Sequence, residues 1–257
     1  MRGNHVPDWL QNGEEYGETG PALQLDRYMV RVAAFRGRAL AFFPSASAGL
    51  FTSTPNLDFL AHTGKQLEDD LVDWAESMSM SEQCSNRKEP LTIVPEIDSD
   101  LNTFGGHRNT YTSPGHASLW LRQRALRLII NSISIKFISL RMQTSTDHDH
   151  LLMKQGRMKE NLDSISRELC ADVSYFFKAP QSRDGESLVP ALMTAEGDLA
   201  IPPNLANMLA WPLAIAVSTE NVPEPQRKWL QGKLGSVADS LGDAVLHDVR
   251  RRDAFVF

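Results

Sequence analysis

Apolar residues recur every three or four positions along most of the chain, the spacing that places them on one face of an α-helix. The first helical segment covers residues 25–43, and the next follows Thr54-Pro55, a capping residue with proline at the first helical position. We expect this second helix to break near Gly64. Helical patterns then resume at Ala117 and at Met158, and the last three segments cover residues 204–219, 222–232 and 236–250.

Period-two alternation, the mark of a half-buried strand, is almost absent, so the pattern predicts an all-α protein. Two stretches rich in proline, glycine and small polar residues, residues 79–115 and 180–203, are interpreted as loops. The first loop need not divide two domains. We therefore predict a single multi-helix domain over residues 25–250, with an N-terminal extension (1–24) and a C-terminal tail (251–257).

A proline lies inside the segment that covers residues 204–219. Pro212 lacks a backbone donor and its ring clashes with the carbonyl of Met208, so we expect the helix to kink there or to begin again. Such an interruption would leave a concave, mainly apolar ligand pocket beside Trp211. The alternative is that Trp211 only packs in the core. We expect the walls of the pocket to be aromatic and its anchors polar, formed by Trp120, Tyr175, Trp229, Arg124 and Asn131.

Charge and composition exclude some classes of function. The chain has 257 residues, of which 42% are hydrophobic and 23% charged, and its net charge is −6. These values are typical of a globular protein, and the acidic balance argues against nonspecific DNA binding through a basic face. The N-terminus lacks an apolar signal-peptide core, and four cations in residues 117–140 count against a membrane span. We expect an intracellular protein, nuclear or cytoplasmic.

No standard catalytic or cofactor motif is found. The two cysteines form no Cys-x-x-Cys pair, and no phosphate-binding loop or esterase elbow occurs. The Asp147-His148-Asp149-His150 run is interpreted as a solvated loop, so we predict neither a metal nor a cofactor. His116 and His247 are interpreted as partly exposed structural residues, although either could act as a base in a pocket.

Two arginines of the segment that begins at Ala117, Arg124 and Arg127, share a helix face. Three interpretations stay open for them. They pair with carboxylates such as Asp73 or Asp172, they point to solvent, or one of them binds an acidic ligand.

Several short motifs occur in a characteristic order: Trp211-Pro212-Leu213, Val222-Pro223-Glu224, Arg227-Lys228-Trp229-Leu230 and then Leu234. This order resembles the C-terminal helices of the fungal-specific transcription-factor domain, the regulatory region that normally follows a zinc-cluster DNA-binding domain. Upstream, residues 168–175 resemble the Cys-Ala-Ser-Val-Pro-Tyr segment of that family, with Ser174 in place of the usual proline. The resemblance implies a helical domain that binds a small effector or a protein partner.

The chain departs from this family in one respect. The zinc cluster needs six closely spaced cysteines, and this chain has two, Cys84 and Cys170, far apart. We therefore expect a regulator-derived helical module without direct DNA contact, and Met1 and the length favour a standalone product over a fragment. The alternative is a repurposed cofactor-independent enzyme, a cyclase or isomerase of fungal secondary metabolism that works by positioning its substrate. In either case the partner is a small molecule, with a protein partner or a homodimer also possible.

Overall fold

The computed structural model describes residues 19–47, 54–85, 103–106, 109–143, 146–177 and 201–251. Most of these residues are helical and none of them forms a strand, which confirms the all-α class predicted from periodicity. In chain order, the helices are α1 (Gly20–Ser47), α2 (Thr54–Ser85), α3 (Pro114–Met142), α4 (His148–Phe176), α5 (Pro203–Ser218), α6 (Glu224–Leu241) and α7 (Ala244–Arg251). Within the described ranges, every helix is too short or too polar to cross a membrane.

The chain divides into two compact units, and α3 and α4 contribute residues to both. Among the described residues, unit 1 contains α1, α2, residues 126–142 of α3 and residues 148–164 of α4. Unit 2 contains residues 103–106 and 109–125, residues 165–177, and the last three helices. The predicted extension (1–24) overlaps α1, because that helix already begins at Gly20.

Unit 1 has a core of aromatic and leucine side chains. The ring of Phe137 lies 6.3 Å from that of Phe35 and 5.2 Å from that of Phe43, measured between centroids. Leu67 and Leu71 of α2 are fully buried in the same unit. Burying such side chains contributes roughly 1.5–3 kcal/mol each, so this core is the main source of stability for the unit.

The predicted break near Gly64 is wrong, because α2 continues through this residue from Thr54 to Ser85. A Cβ atom at position 64 would lie 3.0 Å from Phe35 Cζ and 3.1 Å from Ser134 Oγ. Glycine therefore allows the neighbouring helices to approach closely and does not end the helix. A glycine is required at position 64 because a larger side chain would collide with its neighbours, and not because the backbone turns there.

The expectation that the helix begins again at Pro212 is also wrong, because α5 is one helix from Pro203 to Ser218 with Pro212 inside it. Proline removes one backbone donor, but the other hydrogen bonds of the helix remain. Pro212 is itself buried, and Leu209 and Leu213 beside it have no exposed surface. Packing of α5 against α6 and α7 thus holds the helix together across the proline.

Other boundaries differ from the prediction by a turn or two. The loop predicted at residues 79–115 is helical at both ends, since α2 extends to Ser85 and α3 begins at Pro114. The part of that loop at 86–102, and residues 178–200 of the second loop, lie outside the described residues. The expected break after residue 232 is absent, and α6 ends instead at Gly242, which adopts a left-handed conformation with φ 63°.

The turn before α6 contains Asn221, which does not cap the helix. Asn221 has a positive φ of 59°, and the residue that caps α6 is Pro223, without a side-chain hydrogen bond. Asparagine tolerates the left-handed region better than most residues, so Asn221 serves the turn before the helix and not its cap.

We predict that Gly64→Ala destabilises the protein by about 1–3 kcal/mol, since the new methyl group would overpack the fully buried Phe35 ring. Gly37→Ala is the matched control, because its Cβ would meet nothing within 4 Å in α1. The control should gain about 0.5–1 kcal/mol from helix propensity. Urea denaturation of both variants measures the difference. If Gly64→Ala stabilised the protein as much as the control does, the close contact between position 64 and Phe35 would be contradicted.

Candidate functional site

Arg124, a buried charged residue, belongs to unit 2. Arg124 of α3 forms an ion pair through Nη1 with Asp172 Oδ2, and its Nε lies 3.1 Å from Glu168 Oε2. The Asp172 side chain is fully buried, whereas that of Glu168 is 48% exposed. The two carboxylates are one turn apart on α4 and so share a face. The pairing of Arg124 with Asp172, one of the three interpretations left open by the sequence, is confirmed.

The segment before α3 completes the hydrogen bonding of this carboxylate. Asp172 Oδ1 accepts a hydrogen bond from Asn109 Nδ2 at 2.6 Å and another from the hydroxyl of Tyr111. The backbone N–H of Asn109 donates to the carbonyl of Ala171 at 3.2 Å. A buried carboxylate is stable only when its oxygens are paired and hydrogen-bonded. We call Arg124, Asp172, Tyr111, Asn109 and Glu168 the Arg124 network.

Burial and charge act against each other in the Arg124 network. Burial is the largest effect on the pKa of Asp172 and leaves it raised, although Arg124 and the hydrogen bonds from Tyr111 and Asn109 lower it and favour the carboxylate. Burial lowers the pKa of Arg124 and is the largest single effect, but the neighbouring acidic groups, Asp172 first, together outweigh it and leave that pKa raised. The pKa of Tyr111 is raised by burial and then by Asp172, so its hydroxyl stays protonated and donates. We infer a structural ion pair held by neutral donors.

Aromatic side chains surround this network. The guanidinium of Arg124 lies 5.3 Å from the centre of the Trp120 ring, and Tyr175 meets Tyr111 edge to face at 5.5 Å. Trp120 Nε1 donates to His116 Nε2 at 3.2 Å, and His116 Nδ1 lies 3.1 Å from Thr112 Oγ1. An indole N–H is only a donor, so in this geometry His116 Nε2 accepts. His116 is therefore a partly buried structural residue in the first turn of α3.

A second aromatic group lies on α6. Lys233, although charged, is only 6% exposed, with its Nζ 4.7 Å from the centre of the Phe177 ring and 5.5 Å from that of Trp229. Phe104 meets Trp229 edge to face at 5.9 Å, and Trp229 Nε1 is buried without a hydrogen-bond partner. Cations are stabilised above aromatic rings, which accounts for the position of Lys233.

The six residues predicted to form a pocket are distributed over both units. Trp120, Arg124 and Tyr175 belong to or adjoin the Arg124 network, while Trp229 packs with Phe104 and Lys233. Trp211 is partly buried on α5. Whether these residues of unit 2 bind a ligand stays a prediction.

Asn131, the sixth of these residues, belongs to unit 1. Its Nδ2 donates to the carbonyl of Arg127 at 2.9 Å, and its Oδ1 accepts from Asn161 at 3.1 Å. Arg127 pairs with Glu68 at 2.7 Å, so the second arginine also has a carboxylate partner, although not one that the sequence suggested. Asn131 is buried and acts within this interhelical network.

Several residues of unit 2 escaped the sequence analysis. Asn109 and Tyr111 lie in a non-helical segment, where no periodicity indicates which side chains turn inward. Phe104 lies in a short turn with Gly105 and Gly106, both at positive φ, and gave no signal beyond the turn itself. The contact between Lys233 and Trp229 could have been predicted from the sequence. The two residues are one helical turn apart, and cationic and aromatic side chains at that spacing contact each other.

The histidine-rich run lies partly in a helix and not wholly in a loop. His148 and His150 occupy the first turn of α4, and both side chains are exposed. His150 Nδ1 lies 3.7 Å from Asp147 Oδ2. In the described part of the chain, no cluster of three or more histidine, cysteine or acidic side chains could hold a metal ion. His247 of α7 contacts Asp239 at 3.1 Å.

Unit 1 contains an open groove of about 450 Å³ that the sequence analysis did not foresee. α1 lines it with a stripe of residues at helical spacing, and α2 forms the opposite side. The residues from α1 are Gln24, Arg27, Tyr28 and Arg31, and those from α2 are Asp73, Trp74 and Ser77. We call this feature the α1–α2 groove.

The polar groups of the α1–α2 groove are partly engaged with one another. Arg31 pairs with Asp70 at 2.8 Å and lies 5.4 Å above the Tyr28 ring. Trp74 is almost fully buried and its Nε1 donates to the carbonyl of Pro21 at 3.2 Å, so its ring forms the floor. Burial raises the pKa of Tyr28, followed by the carboxylate of Asp70. The groove can therefore offer cations, carboxylates and aromatic surface to one ligand.

We predict that Asp172→Asn lowers the free energy of unfolding by about 3–5 kcal/mol, because it leaves the Arg124 cation buried without its main counter-charge. Glu168→Gln is the matched control on the same helix face. Its half-exposed side chain should contribute no more than about 1 kcal/mol. Urea denaturation measures the free energy of unfolding of both variants. Equal decreases would show that Asp172 stabilises the protein no more than the half-exposed Glu168 does.

Cys170 provides a second test of burial in unit 2. It is a free thiol without exposed surface, and burial raises its pKa above the ordinary value, so little thiolate forms near pH 8. In a Cys84→Ser background, iodoacetamide should modify native Cys170 at least about tenfold more slowly than the urea-unfolded chain. Mass spectrometry of timed samples measures both rates. Similar rates would mean that Cys170 is accessible in the native protein.

Comparison of the chain with protein-family models, with curated proteins and with solved structures gives no match. The likeness to fungal transcription-factor regulatory domains therefore rests on the motif order alone and remains a hypothesis. The fold class does not depend on it, since the described residues by themselves form an all-α protein.

Proposed function

We propose that this chain is a regulator-type binding module that takes up a small effector and has no zinc-cluster DNA-binding element in its sequence. The observation that carries this proposal is the α1–α2 groove. Its volume of about 450 Å³ lies within the range of sites for small organic molecules. Its lining combines an aromatic floor with a few charged and hydrogen-bonding groups, the combination that orients a ligand.

The state of the polar groups in unit 2 supports binding over catalysis. Arg124, Asp172 and Tyr111 satisfy one another, and both ring nitrogens of His116 have partners. Polar groups whose hydrogen bonds are all made within the protein stabilise the fold. A general base must instead be free to reach the proton it removes from a substrate. The alternative of a cofactor-independent cyclase or isomerase therefore receives less support from these residues.

The motif order adds a second, independent support. The Trp211-Pro212-Leu213 step and the later Arg227 to Leu230 segment resemble a family of transcriptional regulators, whose helical domains answer to effectors or protein partners. An intracellular location, nuclear or cytoplasmic, follows from the same proposal. The groove favours a small molecule over a protein as the primary partner, because its volume of about 450 Å³ matches a small organic molecule.

We expect a metabolite library to contain compounds that raise the melting temperature and shift the indole N–H resonance of Trp74. This resonance is assigned by its loss in Trp74→Phe. Ser77→Phe should abolish the shift by filling the groove, while Glu76→Phe, the same substitution on the exposed side of α2, should leave it intact. Binding that survives Ser77→Phe would place the effector elsewhere.

The same samples separate a binding module from an enzyme. Mass spectrometry of each bound compound after incubation should return it unchanged. A compound recovered as an isomer or a cyclised product would overturn the binding module in favour of the enzyme.

A further inference from the structure

The charges around the α1–α2 groove are arranged by sign. The cations Arg27 and Arg31 both belong to α1, where the four lining residues are spaced i, i+3, i+4 and i+7 and so form one stripe. The carboxylates Asp70 and Asp73 belong to α2, on the other side. Each side of the groove therefore presents one sign of charge along the site.

The charges of the two carboxylates also act on Tyr28, an aromatic residue that lines the groove. The pKa of Tyr28 is raised first by burial and then by Asp70, is lowered by Arg31, and is raised again by Asp73. All three charged side chains are thus close enough to Tyr28 to change the energy of its hydroxyl. A ligand lying on the Tyr28 ring would be within reach of charges of both signs.

We propose that the effector of this groove is a small zwitterion in which one carboxylate and one ammonium group are attached to an aromatic body. The carboxylate would face Arg27 and Arg31, the ammonium would face Asp73, and the ring would lie against Tyr28, above the small exposed patch of Trp74. This proposal rests on the proposed function, because it names the ligand class of the same groove.

Opposed charges explain why a ligand with a single charge fits less well. An anion gains from Arg27 but meets the carboxylate of Asp73, and a cation gains from Asp73 but meets the guanidinium of Arg27, while Arg31 is paired with Asp70. Arg27 and Asp73 are both exposed, so each contact is screened by water. Each charge of the ligand should therefore change its affinity by about fivefold and not by orders of magnitude.

The aromatic body follows from the lining. Trp74 uses its only donor on the carbonyl of Pro21 and is almost fully buried, so it offers the ligand a small patch of ring surface and not a hydrogen bond. Tyr28 already has the guanidinium of Arg31 at 5.4 Å from its ring centre. A flat ligand ring can share this stacking arrangement, whereas a bulky aliphatic group would have to displace it.

Four probes separate the contributions of charge and ring: phenylalanine, 3-phenylpropionate, phenethylamine and cyclohexylalanine. We expect phenylalanine to bind most tightly, with each probe that lacks one charge about fivefold weaker and cyclohexylalanine weaker as well. Titrations followed by the Trp74 indole resonance give the dissociation constants. Equal affinity for phenylalanine and either singly charged probe would overturn the zwitterion.

Two variants test which residue faces which charge. Arg27→Ala should weaken phenylalanine and 3-phenylpropionate by about fivefold and slightly strengthen phenethylamine, because it removes a like charge. Asp73→Asn should weaken phenylalanine and phenethylamine and slightly strengthen the acid. The matched controls are Arg38→Ala on α1 and Asp69→Asn on α2, exposed residues outside the groove lining. The assignment of Arg27 to the carboxylate and Asp73 to the ammonium would be contradicted in two cases. Either control variant could change the relative affinities for the probes, or Arg27→Ala and Asp73→Asn could leave those affinities unchanged.

The outcomes also distinguish this inference from the function on which it rests. If none of the four probes shifts Trp74 but another compound does so in a manner blocked by Ser77→Phe, the ligand class is wrong and the binding module stands. If no compound of any class shifts Trp74, both proposals fail.

Discussion

The contact on which unit 2 most depends is the ion pair between Arg124 and Asp172. Removing a charge from water costs several kcal/mol even in a real protein interior, so neither side chain could be buried without the other. Asp172 has no exposed surface and accepts hydrogen bonds from Asn109 and Tyr111 as well. Through these bonds the pair fixes a non-helical segment against α4 and sets the surroundings of Trp120 and Tyr175.

Periodicity was enough to predict the class and the approximate position of the helices, because burial of one face decides helix formation. It failed where a single residue was taken as a breaker. Pro212 and Gly64 both lie inside continuous helices, since tertiary packing outweighs a local preference of about 1–3 kcal/mol at one position. Gly242 does end a helix, because there the chain needs a left-handed residue.

The candidate sites were less predictable than the fold, for a physical reason. Arg124 and Asp172 could be suspected as partners because helix faces constrain them, but Tyr111 comes from a segment without periodicity. The α1–α2 groove was overlooked because Arg27 and Arg31 fit the ordinary polar face of an amphipathic helix. Only the packing of α1 on α2 reveals that this face borders Trp74 and Asp73 and so lines an open groove.

The hydrogen bond from Trp74 to the carbonyl of Pro21 has a consequence for affinity. It anchors the large ring at the bottom of the groove to the first turn of α1, so the floor is already ordered in the free protein. Ordering a side chain on binding typically costs about 0.5–1.5 kcal/mol, and a preorganised ring avoids that loss. A ligand with few contacts can therefore bind measurably, and selectivity depends on its shape and charges more than on an induced rearrangement of the floor.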